Sequence, residues 1–208
     1  MEDILPPIAN GNLSDYQRAY GEFNWSRVEE GFDWSRGGPY NVAAEAVDRH
    51  AQERPDKVAI HSVRATGEAR SLTFGEISRL SGQFAAGLRE LGMSRGDRAF
   101  VYLDRCSELF LSVIGIVKMG AIACPLFSAL GPEAVKDRLL DGTPEAIITS
   151  PYLFERIAPV LRVTSPDIKV VVAGNPVPNG ATAFNDVLGL GTPDFKAVDM
   201  RPDEPYII

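Results

Sequence analysis

An α/β fold with a largely parallel sheet and crossover helices is predicted by three features of the sequence. Four short apolar segments, 99–103, 121–126, 146–149 and 169–173, have the length and composition of buried strands. Stretches with apolar residues at helical spacing lie between them. Hydrophobic residues make up 45% of the 208 residues and charged residues 24%, which is typical of a globular chain with a core. Strands that alternate with helices in this way form parallel sheets joined by right-handed crossovers.

The first 40 residues differ in character from the rest. They contain both tryptophans, Trp25 and Trp34, together with several other aromatic residues and a glycine-rich end. A short helix is predicted over 13–23. We interpret residues 1–40 as an N-terminal extension whose aromatic side chains pack on the body of the protein, residues 41–208.

The body begins with a helix and two strands. Asn41 is a typical N-cap, and Pro55 ends the helix that follows it. Val42, Ala46, Val47 and His50 lie at helical spacing and give that helix an apolar stripe. The strands predicted next are 58–63 and 71–73.

A capping box marks the start of a longer helix. Thr73 is followed three residues later by Glu76, the pattern in which each side chain bonds the other residue's backbone N–H. Gly92 is the predicted end of this helix. Its apolar face is formed by Ile77, Leu80, Phe84, Leu88 and Leu91.

Helices and strands then alternate as far as residue 173, and residues 174–203 favour a loop with one short helix. Gly120 and Gly142 are predicted to end the first two of these helices. The residues at 205–208 favour a strand that is cut at its midpoint. The helices predicted between and after the four strands are 107–119, 132–140, 151–161 and 184–188.

Charge and apolar patterning exclude several classes of function. With 21 basic and 28 acidic residues the net charge is −7, which argues against broad capture of nucleic acid. The longest apolar stretch, 109–117, is too short to cross a bilayer. The acidic start, with no basic residue before Arg18, does not fit a signal peptide. We therefore expect a cytoplasmic protein with no membrane or nucleic-acid partner.

The sequence offers no recognisable catalytic constellation. It has no G-x-x-x-x-G-K-[ST] loop, no G-x-G-x-x-G after a strand and no G-x-S-x-G elbow. Cys106 and Cys124 are not spaced as metal ligands and are expected to be buried thiols. His50 is expected to be a packed histidine. We therefore predict no catalytic residue and no metal ligand in this chain.

Two motifs nevertheless resemble those of the adenylate-forming superfamily, which includes acyl-CoA synthetases, luciferases and adenylation domains of peptide synthetases. The run 75–101, with its G-x-x-x-G-D-R segment, is similar to the start of those enzymes. The segment 117–126, VKMGAIACPL, is similar to their K-A-G-A core motif. The resemblance implies that 41–208 is an incomplete N-terminal α/β subdomain of an AMP-binding domain, cut just before the phosphate-binding loop.

Further segments resemble AMP-forming acetyl-CoA synthetases in particular, and these are 11–16, 23–25, 41–50, 134–139 and 153–157. This resemblance implies a parent enzyme that uses acetate, ATP, CoA and Mg²⁺. Acetate would attack ATP to give an acetyl-adenylate and pyrophosphate, and the CoA thiol would then displace AMP. The chain alone is expected to be inactive.

The same resemblance implies a candidate site in this chain. The CoA entrance is implied to be lined by the loop that follows the strand 121–126, with Phe127, Ser128 and Ala129. A basic residue on a later helix, Arg156, is implied to line it as well. Two alternatives remain open from the sequence: a ligase for propionate or a longer acid, and a truncated stand-alone module that binds CoA or a partner. The exposed edge of the cut strand would favour self-association.

Overall fold

The computed structural model describes residues 15–63, 67 and 69–208. The chain forms two compact units that meet in sequence between Gly38 and Pro39. No helix among the described residues has the length and apolar character needed to cross a bilayer.

The first unit is built from short helices and aromatic pairs. Helix α1 spans Tyr16–Glu22 and α2 spans Trp25–Glu29, and the turn Asp33–Arg36 is a 3₁₀ helix. The predicted helix at 13–23 is thus shorter, and Asp15 caps it by accepting a hydrogen bond from the Arg18 N–H at 2.9 Å. Residues 13 and 14 lie outside the described residues. The aromatic pairs are Tyr16–Tyr20, Phe23–Trp25 and Phe32–Trp34.

The second unit contains a parallel sheet covered by helices, as the sequence predicts. Its five strands are ordered β4-β3-β5-β6-β7, and every neighbouring pair is parallel. Their bounds are β3 Arg98–Tyr102, β4 Ile122–Pro125, β5 Ala146–Thr149, β6 Lys169–Val172 and β7 Thr182–Ala183. A separate antiparallel pair is formed by β1 Val58–Val63 and β2 Ala69–Thr73.

The helices follow the strands in the predicted order. The first one begins with a π-helical segment, Ala44–Asp48, and continues as α3, Arg49–Glu53. The others are α4 Phe74–Glu90, α5 Ser107–Lys118, α6 Pro132–Gly142, α7 Pro151–Thr164 and α8 Phe184–Leu190.

The alternation of side chains along β3 builds two cores. Ala99 and Val101 face one cluster of buried residues, which includes residues of α4, α5 and α8. Phe100 and Tyr102 face a second cluster, which includes residues of α6 and α7. A strand buried on both faces reads as an apolar run, which is why this sheet was predictable from the sequence.

The predicted helix signals are confirmed at both ends of α4. The Thr73 hydroxyl accepts from the Glu76 N–H at 3.2 Å, and the Glu76 carboxylate accepts from the Thr73 N–H at 2.8 Å. Gly92 has a φ of +86°, the left-handed conformation in which a glycine ends a helix.

One local prediction was wrong for a physical reason. The apolar stripe after Asn41 is Ala43 and Val47, whereas Val42 and Ala46 are exposed, because the π-helical segment changes the spacing of the turn. The end of α6 at Gly142 agrees with the prediction, and the left-handed φ of +39° falls on the next residue, Thr143.

The predicted strand at the end of the sequence forms a short parallel bridge with the outer edge of β4. The Ala123 N–H donates to the Tyr206 carbonyl at 3.0 Å, and the Ile208 N–H donates to the Ala123 carbonyl at 3.0 Å. Ile207 and Ile208 are exposed.

Candidate functional site

The carboxyl edge of the parallel sheet carries the loops that follow its strands. Strand β4 lies on one side of β3, and the next strand in the chain, β5, lies on the other side, so the strand order reverses at β3. Ligands of open parallel sheets bind outside the carboxyl ends of the strands at such a reversal of strand order. The loop that joins β4 to α6, residues 126–131, lies at this edge and contains three of the four predicted site residues.

Backbone hydrogen bonds define the start and the turn of this β4–α6 loop. The Leu126 N–H donates to the Val101 carbonyl at 2.9 Å, so the loop continues the pairing with β3. The Leu130 N–H donates to the Phe127 carbonyl at 2.9 Å and closes a tight turn. Leu126 and Leu130 pack against the second core cluster.

The turn leaves its intervening residues open to solvent. The Phe127 side chain is 71% exposed, Ala129 is exposed and Ser128 is half-buried. A large aromatic ring held on a short, hydrogen-bonded turn offers a flat apolar face to a ligand.

Arg156 lies against this loop from α7. The helix begins at the cap residue Ser150, whose hydroxyl accepts from the Leu153 N–H, with Pro151 in its first turn. One terminal nitrogen of the Arg156 guanidinium donates to the Ser128 carbonyl at 3.1 Å, and the other donates to the Leu130 carbonyl at 3.2 Å. The structure therefore brings all four predicted residues together at one place.

A fifth residue at this place was missed by the sequence analysis. Tyr102, the last residue of β3, points its hydroxyl at the same two carbonyls, 2.7 Å from that of Leu130 and 3.2 Å from that of Ser128. The signal was present, because a tyrosine at the carboxyl end of a buried strand carries a polar tip that needs a partner.

Burial keeps the Tyr102 hydroxyl in its donor form. The side chain is fully buried, and this desolvation raises the pKa of Tyr102 above its ordinary value of 10.0. The Arg156 charge acts in the opposite direction but is the smaller influence. An unperturbed tyrosine is already protonated at neutral pH, so the phenol donates its hydrogen to the loop and burial favours that form further.

The lysine of the 117–126 motif has a structural role. Lys118 is 1% exposed, and its ammonium lies 2.6 Å from Asp48 Oδ1 and 2.8 Å from the Ser78 carbonyl. The Ser78 hydroxyl also donates to Asp48 Oδ1 at 2.6 Å. This cluster joins α5, α4 and the π-helical segment. Burial lowers the pKa of Lys118, whereas the Asp48 carboxylate opposes that shift.

Asn41 makes a second buried connection. Its amide nitrogen donates to the carbonyls of Val117 and Val198, both at 3.0 Å, and its side-chain oxygen accepts from the Ala43 N–H at 2.9 Å. The predicted N-cap is confirmed, and it also ties the helix to the end of α5.

The groups that the structure brings together at this edge are the Phe127 ring, the loop backbone, the Tyr102 hydroxyl and the Arg156 guanidinium. Among residues 15–63, 67 and 69–208, no cluster of three His, Cys, Asp or Glu side chains is placed to hold a metal ion. A groove of about 400 Å³ lies beside α7 and β6, lined mainly by apolar residues with Arg162. None of the four predicted residues lines that groove.

Comparison with known proteins identifies the family. The family model described as AMP-binding enzyme matches residues 47–208. The acetyl-coenzyme A synthetase of Bacillus subtilis (strain 168) is 38% identical over 185 residues, which cover 87% of this chain and 32% of that protein. The acetyl-coenzyme A synthetase of Methanothrix thermoacetophila is 33% identical over 129 residues, 61% of this chain and 20% of that protein. The chain thus spans a third or less of these two curated relatives.

Solved structures share the fold. An acyl-CoA synthetase from Brucella canis superposes with a TM-score of 0.78 at 22% identity, covering 92% of this chain and 35% of that one. An anthranilate CoA ligase in complex with anthranoyl-AMP superposes with a TM-score of 0.74 at 25% identity, covering 81% and 32%. From the family match, the chain belongs to the AMP-binding enzyme family.

Proposed function

We propose that this chain is the N-terminal part of an acetate–CoA ligase that makes acetyl-CoA from acetate, ATP and CoA through an acetyl-adenylate. The observation that carries the proposal is the 38% identity to a protein named acetyl-coenzyme A synthetase over 87% of the chain. The proposal concerns the whole enzyme, because the chain spans 32% of that relative.

The proposed reaction has two balanced steps. A carboxylate oxygen of acetate forms a bond to the α-phosphorus of ATP, and pyrophosphate leaves. The CoA sulfur then forms a bond to the acyl carbon, AMP leaves and the thiol proton is released. Mg²⁺ belongs to the proposed reaction of the whole enzyme, where it would bind with the ATP phosphates, and we assign it to no residue of this chain. We expect the 208-residue chain alone to catalyse neither step.

We propose that the β4–α6 loop is this chain's contribution to the CoA entrance. The exposed ring of Phe127 would stack on a flat base, a contact that is tolerant of base identity. Ser128 and Ala129 would offer their backbone N–H groups to a phosphate or a hydroxyl. Since Arg156 donates to two loop carbonyls, its proposed role includes shaping the entrance as well as offering positive charge.

Acetate-dependent exchange of pyrophosphate into ATP, followed by acetyl-CoA formation, tests the proposal in the full-length protein that carries these residues. We expect both activities with acetate, and weaker exchange with propionate and butyrate. Stronger activity with propionate or a longer acid would identify that acid, and not acetate, as the substrate. Absence of exchange with every acid would contradict the ligase proposal.

Calorimetry with CoA separates the ligase part from a stand-alone module. We expect the 208-residue chain to bind CoA weakly, because a single loop supplies its contacts. Tight CoA binding by this chain, together with no exchange activity in the full-length protein, would favour a CoA-binding module.

Fractionation of cells should place the protein with the cytoplasmic enzymes, where its proposed substrates are found.

A further inference from the structure

We propose that Tyr102 is a positioning residue for CoA: with Arg156, it fixes two carbonyl oxygens of the β4–α6 loop and so sets where Phe127 stands. This inference rests on the proposed function, which makes the loop part of the CoA entrance. It adds a residue outside the loop that acts through the loop and does not touch CoA itself.

The geometry supports a shared clamp. The Arg156 guanidinium donates to the carbonyl oxygens of Ser128 and Leu130 at 3.1 and 3.2 Å. The single hydroxyl hydrogen of Tyr102 faces the same two oxygens, that of Leu130 at 2.7 Å and that of Ser128 at 3.2 Å. Both carbonyls therefore point inward, toward the sheet, and the side chain of Phe127 is left outside. Loss of the Tyr102 hydroxyl would leave the two carbonyls to Arg156 alone and so let the loop shift.

Tyr102 is suited to positioning because it cannot move easily. It is paired in β3 with Thr149 of β5, and the preceding residue, Val101, is paired with Pro125 of β4. Its ring is fully buried in the second core cluster. The hydroxyl is therefore held in one position, whereas the longer Arg156 side chain lies half-buried on α7.

The decisive variant is Tyr102→Phe, which removes one oxygen and leaves the ring in the core. In the full-length ligase we expect the KM for CoA to rise about fivefold to tenfold, the loss that one hydrogen bond explains. Acetate-dependent pyrophosphate exchange, which does not need CoA, should stay within about twofold of the wild type. Tyr152→Phe, which removes an exposed hydroxyl from the same helix as Arg156, is the matched control and should change neither.

A double-mutant cycle tests whether the two side chains act on the same loop. Arg156→Lys retains the charge but loses the planar fork that reaches both carbonyls. The effects of Tyr102→Phe and Arg156→Lys on the KM for CoA should not combine as the product of the two single effects, because both side chains hold the same two carbonyls.

Hydrogen exchange on the 208-residue chain gives a readout that is independent of activity. In Tyr102→Phe the amide of Leu130 should exchange faster than in the wild type, with β3 and β5 unchanged. A normal KM for CoA in an active Tyr102→Phe enzyme would overturn the inference, as would equal losses in exchange activity and CoA use. If the wild-type protein shows no pyrophosphate exchange, the proposed function is contradicted. In that case the amide measurement still tests the clamp, and an unchanged rate of hydrogen exchange at Leu130 in Tyr102→Phe would overturn it.

Discussion

At the scale of single residues, buried polar groups hold the body together. Lys118 carries a charge in a nearly inaccessible position and relies on Asp48 and on the Ser78 carbonyl. A buried charge whose partner is removed costs far more than a surface pair. The sequence motif marks this lysine, but only the structure shows that its partners come from two other helices.

Removal of the Asp48 carboxylate should destabilise the protein strongly. We expect Asp48→Ala to lower the free energy of unfolding by about 3–5 kcal/mol, because it leaves the Lys118 ammonium buried without its counter-charge. Urea unfolding followed by circular dichroism measures this. Asp137→Ala, on the exposed side of α6, is the control and should stay within about 0.5 kcal/mol of the wild type. A loss below about 1 kcal/mol in Asp48→Ala would contradict the account.

The Cys106 thiol should react slowly with alkylating reagents. Its burial, as the main cause, raises the pKa of Cys106 from 9.0 to about 11. Since the thiolate is the nucleophile, alkylation by iodoacetamide at pH 8 should be about 100-fold slower than in the unfolded chain. The native rate should rise with a midpoint at about pH 11.

The raised pKa of Cys106 also determines whether the stability of the fold rises or falls with pH. The unfolded thiol ionises near pH 9, whereas the folded thiol retains its proton to about pH 11. The folded chain therefore holds more protons in this interval, and its stability should fall as the pH rises through it. Cys124→Ala isolates the Cys106 signal. An alkylation midpoint near pH 9 in the native protein would show that Cys106 is not desolvated.

At the scale of elements, close helix packing depends on glycines that the sequence does not distinguish from turn glycines. An added Cβ at Gly87 of α4 would overlap the Val187 carbonyl oxygen of α8. One at Gly115 of α5 would lie 2.8 Å from the Ser81 carbonyl oxygen of α4. Gly142, the last residue of α6, also packs closely, because a Cβ there would meet the Phe100 ring at 2.8 Å.

Gly87→Ala should therefore be destabilising although alanine favours helices. We expect a loss of about 1–3 kcal/mol in the free energy of unfolding, because the backbone of α8 must shift. Gly189→Ala in α8, where a Cβ meets nothing within 4 Å, is the matched control and should be neutral or stabilising. Equal effects of the two substitutions in thermal unfolding would refute the packing argument.

The elements that the sequence predicted well are those with a local cause. The four buried strands, the Asn41 cap and the Thr73–Glu76 capping box depend on residues that are near each other in the chain. The strand order and the Tyr102 contact could not be predicted, because they depend on how separate elements pack and not on neighbouring residues in the chain. The stripe after Asn41 failed because nothing in the sequence marks a π-helical segment.

At the scale of the whole molecule, the outer edge of the sheet is the expected place of self-association. Residues 206–208 pair with β4 on one side, and Arg95 bonds Glu204 and holds the pKa of that carboxyl below its ordinary value. Ile207 and Ile208 leave an apolar, exposed edge. Such an edge is a template for pairing with a second chain.

Ile207→Lys should reduce this association. A lysine on an edge strand disfavours pairing with another strand. We expect solution scattering to show concentration-dependent dimers in the wild-type chain and fewer in the variant. Val163→Lys, at an exposed position on α7, is the control for added charge and should not change the distribution. Wild-type chain that is monomeric at every concentration would contradict this prediction.

The proposed role of the β4–α6 loop at the carboxyl edge is to receive CoA in an acetate–CoA ligase. Phe127→Ala in the full-length protein tests this role, with Phe110→Ala, another exposed aromatic residue, as the control. We predict that Phe127→Ala raises the KM for CoA about tenfold, the loss of one aromatic stacking contact, and leaves acetate-dependent pyrophosphate exchange within about twofold. An unchanged KM for CoA in an enzyme with normal exchange would contradict the proposed role.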